Sequence, residues 1–174
     1  MFFKELETDR LVLENIDQND CEFMLRQFSN DEVNRFLFDA EPFSSMEEAE
    51  ELIEVYLTKA PHGPHRWILT RKSDGERVGT CGFHCWDRGS GTCHIGYDLY
   101  PDYWKQGYMA EALAAIVAFA KSEMELKRIE AHISTENIDS IKAAERQGFV
   151  DSNERYMETF RGKEYPHAIY VLNL

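Results

Sequence analysis

Apolar and polar residues change their repeat several times along the chain, and each change marks an element. Thr8-Asp9-Arg10-Leu11-Val12-Leu13-Glu14-Asn15 alternates with a period of two and predicts a strand. From Asp17 to Phe28 the repeat lengthens, and the spacing of Cys21, Met24, Leu25 and Phe28 predicts a helix. Ser29-Asn30-Asp31 restarts a shorter one that carries Val33, Phe36 and Leu37. Pro42-Phe43-Ser44-Ser45 breaks it, and Ser45 suits the N-cap of a helix from Met46 to Leu57. Its buried stripe is Ala49, Leu52, Ile53, Tyr56 and Leu57. Pro61-His62-Gly63-Pro64 ends this helical part.

A meander follows: a strand at Trp67-Ile68-Leu69-Thr70, a turn at Ser73-Asp74-Gly75-Glu76, a strand from Arg77 to Trp86, a turn from Asp87 to Gly91, and a strand from Thr92 to Tyr100. Helical spacing returns from Tyr108 to Glu123, burying Ala112, Leu113, Ile116, Val117 and Ala120. Arg128 to Ser134 reads as a strand with Ile129, Ala131 and Ile133 on one side. Asn137 then caps a helix whose inward face is Ile138, Ile141 and Ala144 and whose stop is Gly148. Two strands, Phe149 to Phe160 and His167 to Leu174, close around Arg161-Gly162-Lys163. The order predicts an α+β fold with a mixed, largely antiparallel sheet, in a single domain over residues 1–174.

Composition narrows the function. At 174 residues with 43% hydrophobic and 13% aromatic content, the chain can bury a core. A formal net charge of −13 argues against generic nucleic-acid binding, which needs clustered Lys and Arg, and an acidic surface attracts cationic partners instead. The N-terminus lacks the pattern of a targeting segment, and the longest apolar run, Ala112 to Ala120, falls short of the roughly 20 residues of a membrane helix. The expectation is a cytoplasmic protein that engages neither nucleic acid nor membrane. Cys21, Cys81, Cys85 and Cys93 lack zinc-finger spacing, and the last three, in predicted strands, read as small buried hydrophobes. No metal site is expected.

Candidate chemistry gathers between Ile95 and Phe149. At Tyr103-Trp104-Lys105-Gln106-Gly107-Tyr108-Met109-Ala110-Glu111 a strand passes through a glycine into an amphipathic helix, and the free N–H groups of such a helix start suit an anion such as a pyrophosphate. Lys105 and Gln106 add side-chain donors, and Glu111 in the first turn opposes the positive helix end. Read with Gly96-Tyr97 and with Asn137, Ser140 and Glu145-Arg146-Gln147-Gly148-Phe149, the segment resembles the GNAT acetyltransferases. The opening Glu7-Thr8-Asp9-Arg10-Leu11-Val12-Leu13 is similar to the Rim-type branch, which acetylates ribosomal-protein N-termini.

That resemblance implies acetyl-CoA as cosubstrate, held between two splayed parallel strands, Thr92 to Tyr100 and Arg128 to Ser134. It implies backbone of Asp98, Leu99 and Tyr100 as a rail for the pantetheine, and Lys105, Gln106, Gly107, Tyr108, Met109 and Ala110 as the pyrophosphate cradle. Two departures stand out: the family often has glycine where Lys105 stands, and alanine or glycine where Met109 stands. Near the departing sulfur the resemblance places Ser140, with Asn137 as the other polar position; Ser140 also suits a first-turn helix residue that bonds backbone.

The reaction implied is direct attack of an amine on the thioester, without an acetyl-enzyme. The base is open among His94, on the cofactor strand and facing the same side as Asp98, Glu158 on the first closing strand, and His84 beside Trp86. His62, His65, His132 and His167 carry no distinguishing context. Specificity is expected from the region between Asp17 and Leu57 and from the closing hairpin, both rich in carboxylates (Asp31, Glu32, Asp39, Glu41; Glu154, Glu158, Glu164). The acceptor is a protein N-terminus or a small amine, and the resemblance is compatible with a homodimer. The alternative is a non-catalytic acyl-CoA-binding or interaction module on the same fold.

Overall fold

The computed structural model describes residues 3–57 and 63–174, so Pro61 and His62 lie outside the described residues. Eight strands form one sheet: β1 Leu6–Glu7, β2 Leu11–Asn15, β3 His65–Arg71, β4 Arg77–Asp87, β5 Thr92–Leu99, β6 Arg128–Ser134, β7 Val150–Phe160 and β8 Lys163–Asn173. Their spatial order is β1-β2-β3-β4-β5-β6-β8-β7, antiparallel throughout except for the β5–β6 pair. Five helices flank it: α1 Cys21–Phe28, α2 Asp31–Asn34, α3 Met46–Leu57, α4 Tyr108–Glu123 and α5 Ile138–Arg146. Parallel strands cannot be joined by a tight turn, which is why a helix as long as α4 connects β5 to β6.

The sheet separates two apolar clusters. The larger joins Leu11, Leu13, Trp67, Leu69, Cys81, Phe83, Cys93 and Ile129 to Ala112, Leu113, Ile116 and Ala120 of α4. The smaller packs Ile16 and Ile68 against Phe23 and Met24 of α1 and Ala49 and Ile53 of α3. Small residues on α4 let it lie close to the strands.

Several local expectations shift. The first predicted strand starts later, at Leu11, and an additional short strand, β1, precedes it: Thr8 donates its N–H to the Leu11 carbonyl and makes a tight reversal between the two. The helix predicted from Asp17 begins with a 3₁₀ turn at Gln18–Asp20, where Asp17 and Asp20 form a reciprocal capping box. Its buried face is Phe23, Met24 and Gln27, while Cys21, Leu25 and Phe28 are only partly covered. The restarted helix ends at Asn34, and Phe36 and Leu37 line a cleft from a loop. Ile138, expected inside, is 51% exposed, leaving Ala144 as the buried anchor of α5. Cys81 and Cys93 are buried as expected; Cys85 is exposed at φ 51, on an irregularity that shifts the β4–β5 register.

His65 acquires a context that the sequence does not reveal. Its ring stacks on Phe3 at 4.1 Å and meets the edge of Trp67, and burial holds the imidazole down to about 3. Above the ordinary value of 6.5 the ring is neutral in both folded and unfolded chains. Below it the unfolded chain takes up a proton that the folded site refuses, so stability falls as pH drops from 6.5 toward about 3. His84, held to about 4, acts in the same sense. In urea titrations across this window, His65→Phe is expected to lose less stability than the parent; equal losses would remove His65 from the acid response.

Candidate active site

The parallel pair determines the shape of the site. β5 and β6 pair at Thr92–Arg128, Cys93–Ile129 and His94–Glu130, and then diverge. A cleft of about 430 Å³ opens there, lined from both strands and from the loop after α2. Tyr100 donates its N–H to the Val78 carbonyl at 2.9 Å, so the antiparallel alternation turns the backbone groups of Tyr100 and Asp98 toward β4. Those of Tyr97 and Leu99 face the other way, into the gap beyond the last β5–β6 pair. Of the expected rail, Leu99 therefore faces the right way, whereas Asp98 and Tyr100 do not: alternation, invisible until the pairing is known, assigns them to the other edge. The Leu99 carbonyl accepts the Trp104 indole N–H at 2.8 Å.

The turn before α4 starts the helix on Gly107, which has a left-handed φ of 84 and no side-chain cap. A Cβ there would come within 3.3 Å of the Arg10 guanidinium. Because the first helical bond runs from the Glu111 N–H to the Gly107 carbonyl, the N–H groups of Tyr108, Met109 and Ala110 precede any intrahelical partner. Tyr108 and Met109 bury their side chains in the core, so the bulk of Met109 points away from the turn. Lys105 sits at φ 60, which accounts for the glycine that the family often places there. Gln106 gives its side-chain amide to the Asp102 carbonyl. Glu111 does not cap the helix. It accepts from the backbone and guanidinium of Arg10, each at 2.7 Å, and from Thr8, and Arg10 in turn donates to the Gln106 carbonyl at 3.0 Å. The β1–β2 turn is thereby tied to the loop.

At the other end, Asn137 caps α5 by accepting the Ser140 N–H at 3.2 Å. The Ser140 hydroxyl donates to the Tyr97 hydroxyl at 3.0 Å, which donates to the Ser140 carbonyl, also at 3.0 Å. Burial pushes the Tyr97 phenol up to about 12, against the lowering effect of the Ser140 hydrogen bond, so it remains a donor at neutral pH. Tyr97 was not among the expected functional residues; the Gly96-Tyr97 pair was its only trace in the sequence.

Another part of the cleft lining is rich in imidazoles. His94 stacks on His132 at 4.3 Å, and the edge of His84 lies 5.4 Å from His94. Glu130 Oε2 lies 3.1 Å from His132 Nε2 and 3.6 Å from His94 Nε2. His167 stacks on Tyr156 and shares the cleft with Glu158, Asp39 and Glu41. His132 and His167, which looked featureless, thus belong to the site, because the β6–β8 register turns both to the face of His94. Asp31, Glu32, Glu154 and Glu164 stay on the exposed surface.

Beneath this wall, Asp98 accepts from Gln27 at 2.7 Å, Thr80 at 2.8 Å and Arg66 at 3.0 Å, and Arg66 also donates to Tyr56 at 2.9 Å. Burial raises the Asp98 carboxyl above its usual range, opposed by Arg66 and by these hydrogen bonds.

The sequence profile described as an acetyltransferase (GNAT) domain matches residues 10–150. The chain belongs to the GNAT acetyltransferase family. Among its relatives, the uncharacterized N-acetyltransferase YoaA of Bacillus subtilis is 35% identical over 174 residues, covering 98% of this chain and 97% of YoaA. The ribosomal-protein alpha-N-acetyltransferase RimL, solved in complex with coenzyme A, superposes with a TM-score of 0.88 at 16% identity over 98% of each chain. The spermidine N-acetyltransferase of Vibrio cholerae, solved with CoA and spermine, superposes at 0.82 with 18% identity over 94% of this chain and 95% of that one. Both likenesses show a shared fold. Among the described residues, no helix is long and apolar enough to cross a membrane.

Within the GNAT loop, holding a lysine in the left-handed region costs about 1 kcal/mol. Lys105→Gly is therefore expected to raise the unfolding free energy by up to about 1 kcal/mol in urea titration. A variant no more stable than the parent would show that the turn carries no such strain.

Proposed function

We propose that the protein transfers an acetyl group from acetyl-CoA to a primary amine by direct attack, without an acetyl-enzyme. The observation that carries this reading is the divergence of β5 from β6 after three paired residues, with a left-handed helix start at one end of the gap and a hydroxyl pair at the other. The donor fits what is there. The N–H and C=O of Tyr97 and the N–H of Leu99 offer the donors and acceptor that an amide-bearing pantetheine needs, in place of the Asp98 and Tyr100 backbone, while the Leu99 carbonyl is taken by Trp104. The N–H groups from Gly107 to Ala110 receive an anion where no Cβ obstructs, and Lys105 and Gln106 flank them. Acetyl-CoA supplies the activated acyl group.

The chain's own residues supply the proton handling. Burial and the neighbouring His132 lower the His94 pKa, with Glu130 opposing, so His94 is neutral near pH 7 and can accept the proton that the amine must lose. The Ser140–Tyr97 hydroxyl pair is the proton source for the departing sulfur: its two protons rest within the pair, so the Ser140 O–H must rotate away from Tyr97 to reach the sulfur, with Asn137 holding Ser140 in place through the helix cap. Glu158 lines the same cleft and is the second candidate base.

Asp39 and Glu158 beside Phe36, Phe38 and Tyr156 favour a cationic acceptor, which matches both a peptide N-terminus and a polyamine. The two solved relatives support each option: RimL is named for ribosomal-protein N-termini, the Vibrio cholerae enzyme for spermidine.

Calorimetry with acetyl-CoA, followed by coenzyme A release with N-terminal peptides and with polyamines, tests this reading. Binding and turnover are expected, and binding without turnover on either panel would turn the protein into an acyl-CoA-binding module. Ser140→Ala should lower kcat by about 10- to 100-fold with little change in acetyl-CoA affinity, as expected for a proton donor.

Protonation of His94 disables it as a base. The rate should therefore fall as pH drops through its pKa, below 6.5, and that limb should vanish in His94→Gln. A limb retained in His94→Gln but lost in Glu158→Gln would move the base to Glu158.

A further inference from the structure

We propose that His94, His132 and Glu130 form a binding site for a divalent transition cation of the Zn²⁺ class, at the point where β5 and β6 part. Geometry is the first support. Tetrahedral zinc with ligands about 2.0–2.2 Å away places neighbouring ligand atoms roughly 3.3 Å apart. Glu130 Oε2 lies 3.1 Å from His132 Nε2 and 3.6 Å from His94 Nε2, on either side of that value. One ligand atom from each of the three residues falls within 4.8 Å of the others.

The backbone that carries them is the second support. His94 and Glu130 are directly paired across the parallel strands, and His132 follows two residues after Glu130 on the same face. All three sit on strands held by neighbours on both sides, so rotamer changes alone can close the site.

Outer contacts orient the ligands as metal sites require. Glu130 Oε1 pairs with Arg128 at 2.8 Å, which leaves Oε2 to the imidazoles. His132 Nδ1 lies 3.3 Å from the Tyr156 hydroxyl; a proton there directs the Nε2 lone pair toward Glu130. Two imidazoles and a carboxylate suit Zn²⁺, Co²⁺ or Ni²⁺ better than Mg²⁺ or Ca²⁺, which prefer all-oxygen sets. The three side chains keep 16–27% exposure, and His94 and His132 line the cleft, so a bound ion would retain an open position. An ion there would take the lone pair of His94.

The site stands on these three residues and does not depend on the acyl-transfer reading. His84 and Cys85 make a second grouping with His94 across β4, which gives the test its contrast.

The full-length protein, stripped with chelator, is titrated with Zn²⁺ against a chromophoric chelator and with Co²⁺ by visible absorption, in the absence of acyl donor or acceptor. One equivalent is expected, with an absorption typical of low-coordinate Co²⁺ and a rise in Tm with Zn²⁺. Glu130→Gln and His132→Ala should each weaken binding at least about tenfold, since loss of an outer-shell partner alone costs that much. Cys85→Ser should not. If His132→Ala fails to fold, His132→Asn serves in its place. Absence of Zn²⁺ uptake, or uptake that survives Glu130→Gln and His132→Asn but is lost in Cys85→Ser, would overturn the proposal.

Discussion

Three paired residues and then none: the short parallel ladder between β5 and β6 is the constraint on which the rest of the molecule turns. A parallel pair requires a crossover, and α4 supplies it, so the start of that helix necessarily lies beside the C-terminal end of β5. Divergence leaves β5 with backbone groups directed into a gap, and it gives Tyr97 room to reach across to Ser140 on α5. Before the strands part, they hold His94 and Glu130 side by side. A slot, an anion-receptive helix start, a hydroxyl pair and an imidazole cluster thus all follow from one break in a sheet.

Two electrostatic regimes meet at this break. Asp98 is deeply buried and saturated, accepting from residues on α1, β3 and β4, so it ties the helical layer to the sheet. Removing one partner of such an ion pair leaves a buried charge uncompensated, a loss on the order of 3–5 kcal/mol. The Asp98 hydrogen bonds hold α1, β3, β4 and β5 together beside the cleft. The His94–Glu130–His132 group lies nearer the opening, half-covered and able to exchange protons or ligands. Arg10 and Glu111 belong to a third arrangement, on the far side of the cleft. They clamp the turn before α4 to the β1–β2 reversal, so a residue near the N-terminus fixes the start of that helix.

Much of the fold was legible residue by residue. Helix α3 begins, and α4 begins and ends, where cap and period predict, because Ser45, Gly107 and the spacing of small apolar residues act locally. The turn from Lys105 to Ala110 was readable for the same reason: a strand, a glycine and a helix start are one continuous piece of chain. Reading failed where a residue's surroundings come from distant segments. His132 and His167 gained their roles only when β6 and β8 paired, and Gln27 is buried because Asp98 waits across 71 positions of sequence.

The sequence by itself determined the elements, the α+β class, the glycine-led helix start and the family to which these motifs belong, since all of these depend on period, cap and local backbone freedom. Only the tertiary structure decided which edge each backbone group of β5 faces, which hydroxyl Ser140 meets and which histidines share a carboxylate. The physical reason is register. Side-chain parity and hydrogen-bond alternation are defined by the neighbouring strand, and that neighbour is chosen by packing over the whole chain.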